Sequence, residues 1–156
     1  MTLYLIVKVA HVIGATVLLG TGAGIAFFML MAHRTGDARL IAHTAGIVVI
    51  ADVTFTATAV VIQPLTGAAL AHLAGYPLFE GWVGLTLILY AVIGAFWLPV
   101  VWMQLRMRDL ARAAVAADTP LPAAYHRLWR LWFAFGFPAF IAVIAIIWLM
   151  VVKPTF

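Results

Sequence analysis

The chain has 156 residues, 67% of them hydrophobic and 9% charged, with a formal net charge of +4 and a mean hydropathy of +1.16. A soluble domain of this length needs far more charge to cover its surface, and no barrel-like alternation occurs, so the apolar blocks read as lipid-spanning helices. The absence of cysteine excludes disulfides, thiolate metal sites and Fe–S clusters, and without a soluble basic domain the positive charge belongs to loops rather than to a nucleic-acid surface.

The first predicted span runs from about Leu3 to Met31. It is too long for a cleavable signal peptide, no basic residue precedes it, and Lys8 lies within it. A polar side chain inside hydrocarbon is costly unless paired or functional, which singles out His11, roughly 12 Å below the outer end of the span from the helical rise. Lys8 is one turn above His11 on the same face, and Gly14 and Ala15 one turn below leave a recess beside the imidazole. A histidine with small neighbours on a bundle-facing helix is how a membrane helix accommodates haem. The same letters also allow a structural histidine, with Gly14, Gly20 and Gly24 serving close helix packing and Lys8 snorkelling to headgroups.

The second span, about 41 to 75, is longer than a bilayer needs, so its first turns are expected at the interface and the span proper near Asp52. Asp52, Thr56, Gln63 and Thr66 fall on one helical face that must look into the bundle. Asp52 is expected to pair with Arg34, Arg106 or Arg130. Gln63 precedes Pro64 and either binds a substrate or caps a carbonyl freed by the kink. His72, at the outer end, is a weak candidate for a second iron ligand, being off the polar stripe and higher than His11.

The third span covers about 82 to 104, with the helix continuing toward Ala117. Tyr90, Gly94, Trp97, Val101 and Gln104 share one of its faces, and Tyr90 at the depth of His11 could line a porphyrin-sized pocket or simply pack. The fourth span covers about 128 to 152, after the turn at Asp118-Thr-Pro-Leu-Pro122. Seven of the nine basic residues lie in the segments between spans one and two and between spans three and four. The positive-inside rule puts those loops in the cytoplasm of a bacterial inner membrane, with both termini outside. Trp82, Trp102 and Trp129 are expected in aromatic belts, and His33, His43 and His126 as solvated or headgroup residues at the cytoplasmic end, where nearby Met29, Met31, Met103 and Met107 could join them on a transient metal.

These residues carry a resemblance over nearly the whole chain to small bacterial four-span proteins known only as predicted integral membrane proteins. It rests on Lys8-x-x-His11-x-x-Gly14, Met31-Ala-His33-Arg34-Thr-Gly-Asp37, Gln63-Pro-Leu-Thr-Gly67, Trp97-Leu-Pro-Val-Val-Trp102 and Arg106-Met-Arg-Asp-Leu110. More distantly, the opening helix is similar to those of HemJ-type protoporphyrinogen oxidases and CopD-type copper-resistance membrane proteins. The likeness to the former rests on Lys8, His11 and Gly14, on Pro64 with Gly67, and on Gly81-Trp82. It implies a four-helix membrane protein binding haem b through His11 and oxidising protoporphyrinogen IX. Two positions depart: the tryptophan expected after Gly14 is Leu18 or Leu19, and the lysine expected early in span three falls at about Thr86.

The expectation is therefore an all-α, four-helix, single-domain membrane bundle with short loops. Its leading function is haem-binding redox chemistry, with His11 on the iron, Lys8 at a propionate, and Gly14, Ala15, Gln63 and Tyr90 around the ring. The alternatives are copper handling through His11 with Met or His ligands, and a cofactor-free scaffold. The bilayer, a porphyrin or quinone, and a second copy of the chain are the partners this leaves open.

Overall fold

In lipid every backbone N–H and C=O has to be paired within its own segment, so long apolar runs without acidic breakers fold as rods. The computed structural model describes residues 2–155. It contains α1 (Thr2–Thr35), α2 (Ala38–Ala51), α3 (Ala57–Ala74), α4 (Gly81–Ala116) and α5 (Ala123–Val152), and no strand among the described residues. A π-helical turn, Asp52–Thr56, joins α2 to α3, so that Ala38–Ala74 forms one rod. All four rods are long and apolar enough to cross a membrane.

The rods overrun the expected spans at the arginine-rich end. There α1 continues to Thr35, whose hydroxyl donates to the Ala32 carbonyl at 2.7 Å, and Asp37 caps α2 by accepting from the Arg39 amide at 2.7 Å. Helix α5 starts at Ala123 directly after Pro122, five residues before the expected span. The extra turns carry polar and charged residues such as His33, Arg34 and Arg127, which a hydropathy window does not register as span.

At this end the rods close on a core of Met29, Ile41, Met107 and Tyr125, all fully buried, with Trp129 and Trp132 beside them. Without a hydrophobic drive between helices in lipid, close van der Waals packing and polar contacts hold such a core. Three expectations are corrected here. Trp129 is buried rather than belted, its ring stacked on His33 with centroids 4.0 Å apart. His33 is half-buried, with Nδ1 3.3 Å from the Tyr125 hydroxyl, while His43 and His126 are exposed. Met29, Met103 and Met107 are core residues, which leaves their sulfurs facing side chains rather than an open metal site.

Toward the chain termini the bundle divides. Helix α4 packs along α5, and α1 along α3, but α3 makes no extensive contact with α4 or α5. The two pairs stand apart, and the space between them positions the site.

Candidate functional site

The gap is a cavity of about 890 Å³. Its walls run from Tyr4 to Ala26 on α1, from Asp52 to Tyr76 along the second rod, from Trp82 to Gln104 on α4 and from Trp132 to Lys153 at the end of the chain. At 1.5 Å per residue this is a slot about 30 Å long, comparable to the hydrocarbon thickness of a bilayer. Lys8 and Lys153, the two lysines of the chain, line its end nearest the termini, and none of the seven arginines lines it.

His11 stands on the α1 wall, 8% exposed. Its Nδ1 lies 2.8 Å from the Thr66 hydroxyl oxygen. That hydroxyl donates its single proton back to the Ile62 carbonyl at 2.9 Å, so toward the imidazole it can only accept. With the Thr66 proton so placed, the tautomer that fits has Nδ1 protonated and leaves the lone pair on Nε2, which has no hydrogen-bond partner among the described residues. Fixing one ring nitrogen by a hydrogen bond so that the other is free for a ligand is how proteins orient metal-binding imidazoles.

Two glycines let α1 and α3 come this close. A Cβ on Gly67 would sit 3.2 Å from Cε1 of His11, and one on Gly14 would sit 3.2 Å from Cδ of Gln63. The recess expected at Gly14 is thus filled by the Gln63 amide, whose Nε2 donates to the His11 carbonyl at 3.1 Å. Room for a ligand lies on the other side of His11, where Lys8, Ala15 and Tyr90 line the cavity. Gly20 and Gly24, read as packing glycines, meet no side chain within 4 Å.

Pro64 has no N–H, so the carbonyl four residues earlier, Val60, loses its helical donor. The Tyr90 hydroxyl from α4 donates to that carbonyl. Tyr90, not Gln63, makes the cap, and the bond bridges the two helix pairs across the cavity. Tyr90→Phe is expected to destabilise the protein by about 1–3 kcal/mol by orphaning a buried carbonyl. The check is the thermal unfolding midpoint in detergent, and an unchanged midpoint would remove the capping role.

The structure does not bring His72 to His11: His72 is exposed and lies outside the cavity lining, whereas its neighbour Ala71 is on the wall. Asp52 forms no ion pair, the one salt bridge among the described residues being Arg108–Asp109 at 2.8 Å. It is instead buried at the π-turn, on the cavity wall, with Trp97 Nε1 3.4 Å from its carboxylate. An i→i+5 turn accommodates one extra residue, and such turns recur at functional sites. Among the described residues, five buried side-chain polar atoms lack partners: Thr56 Oγ1, Gln63 Oε1, Trp82 Nε1, Gln104 Oε1 and Trp132 Nε1. All five belong to cavity-lining residues. Buried polar groups are nearly always paired, so this concentration marks the slot as a place where a ligand or ordered water completes the bonding.

The residues present suit a haem. The slot supplies an unpartnered nitrogen of a buried histidine, apolar and aromatic walls, and two ammonium groups at one end for a pair of carboxylates. His11, Lys8, Ala15, Gln63 and Tyr90, singled out in the sequence, line the slot, as does Lys153, a single lysine beyond the last span with no motif around it.

The family model described as "Predicted integral membrane protein (DUF2269)" matches residues 5–154, and the chain belongs to that family. No curated protein and no solved structure matches it.

Proposed function

We propose that this protein is a b-type haem-binding redox protein of the bacterial inner membrane, with His11 Nε2 as an axial ligand. The observation that carries the proposal is the 2.8 Å contact of His11 Nδ1 with the Thr66 hydroxyl oxygen beside a slot of about 890 Å³. Lys8 and Lys153 meet the propionates, Ala15 and Tyr90 form walls, and Gln63 fixes the backbone of His11 from behind. Bound haem supplies one-electron exchange with a tetrapyrrole or quinol. The chain itself supplies the ligand, the cationic mouth and the dry walls.

A HemJ-like porphyrinogen oxidation would need a different polar set from that family's. Thr86, where the lysine is expected, lines the slot but donates its hydroxyl proton to the Trp82 carbonyl at 2.9 Å, and Lys8 and Lys153 are the cations at that end. The CopD-like copper reading draws less support, because three of the methionines it could use are packed in the core at the other end. The test is an ultraviolet–visible spectrum, oxidised and dithionite-reduced, of protein purified in detergent from haem-supplemented cells. A Soret band with reduced α and β bands at about one haem per chain is expected. A colourless protein that takes up no haem would end the proposal.

In this reading the arginine end faces the cytoplasm. Because the chain has no cysteine, single replacements report sidedness directly. Phe79→Cys, at an exposed position between α3 and α4, should react with an impermeant maleimide in spheroplasts, and Thr119→Cys, between α4 and α5, only after permeabilisation. The reverse pattern would invert the topology.

A further inference from the structure

The deep end of the slot holds a buried carboxylate among polar groups without partners. The Asp52 carboxylate is 4% exposed, has no cationic partner among the described residues, and receives one long contact, 3.4 Å, from Trp97 Nε1. One turn along the second rod, Thr56 Oγ1 is buried without a partner, and on α4 so is Gln104 Oε1. All three side chains line the slot and are more than nine-tenths buried. Trp132 Nε1, the Thr56 hydroxyl and the Gln104 amide can also donate at this floor, but the Asp52 carboxylate itself receives only the long Trp97 contact, so an occupant that completes its bonding brings a donor of its own.

Charge decides which donors. The mouth nearest the termini carries Lys8 and Lys153, which repel a cation, and the walls between mouth and floor are apolar. A neutral molecule with hydroxyl groups and an apolar body meets both conditions. From the helical rise, Asp52 lies roughly 16 Å deeper than the Gln63–Thr66 segment that holds His11, so the floor is separate from the space beside the imidazole.

We propose that the floor of the slot binds the head of a quinol. One ring hydroxyl donates to the Asp52 carboxylate, and the acceptors at Thr56 or Gln104 take the second. The tail runs along the apolar wall that includes Leu18, Leu19 and Phe133. An oxidised quinone has no hydroxyl to donate to the Asp52 carboxylate, so that contact favours the reduced form. This names a partner for the redox reading above, yet binding at the floor needs no haem.

The experiment is equilibrium binding of decyl-benzoquinol, and of the matching quinone under the same conditions, to haem-free protein in detergent, followed by tryptophan fluorescence. The quinol should bind about tenfold or more tighter than the quinone, and Asp52→Asn should weaken quinol binding by about ten- to a hundredfold. Equal affinity for the two forms would overturn the proposal from the native chain alone, whatever happens to the variant. So would tighter binding of decylamine that displaces the quinol, which would assign the floor to an ammonium. Because the protein used carries no haem, failure here is distinct from failure of the His11 assignment.

Discussion

His11→Ala is expected to abolish the Soret band of the haem-loaded protein while leaving a folded, membrane-inserted bundle. The imidazole is a buried side chain on the slot wall with one ring nitrogen engaged by Thr66 and the other without a partner among the described residues. Its removal takes away the iron ligand, but it leaves Thr66 with its own helical acceptor and Gln63 with the residue-11 carbonyl, so both neighbours keep a partner. The fold should therefore survive, as judged by gel filtration and helical circular dichroism. Imidazole added in solution can enter the space left by the side chain, and partial return of the band would mark His11 as a ligand rather than a strut. A normal band in the variant would sink the assignment. Loss of colour accompanied by aggregation would count as structural, and the imidazole rescue separates that case.

The spans were legible because four apolar blocks with arginine-bearing punctuation admit few arrangements in lipid. The polar face of Asp52, Thr56, Gln63 and Thr66 was legible from spacing, and it does look inward. What each residue on it does was less so. The expected Asp52–arginine pair does not form: Arg34, Arg106 and Arg130 are exposed on the outside of the bundle, while Asp52 is buried on the slot wall. A single-residue insertion such as the π-turn is lost within a window long enough to detect a span. The partner of Tyr90 had a usable signal: Pro64 frees the carbonyl four residues before it, and Tyr90 had been placed at a suitable depth on an inward face. His33 gave none, since its stacking on Trp129 joins α1 to α5 through a contact that no local pattern encodes. The division of the bundle into two pairs, which makes the slot, is likewise a property of packing between rods and not of any one of them.

Thr66→Val should lower haem affinity by about ten- to a hundredfold and raise the midpoint potential, although Thr66 itself touches no ligand. Valine matches threonine in shape but cannot accept, so the Nδ1–H of His11 loses its 2.8 Å bond in a buried site. Two consequences follow. The imidazole is free to turn or to exchange its ring proton, which lowers the fraction presenting a lone pair at Nε2. It is also a poorer donor of electron density, because an N–H bonded to an oxygen makes the opposite nitrogen more basic and favours the oxidised iron. The backbone bond of the Thr66 hydroxyl to Ile62 is lost as well, so a fall in thermal stability alone would not discriminate. Thr66→Ser, which keeps the acceptor and removes only a methyl group, supplies the control. If both variants lower the melting temperature but only Thr66→Val shifts the potential and the affinity, Thr66 positions the ligand. If the two behave alike, its role is packing between α1 and α3, and the fixed tautomer of His11 loses its functional meaning.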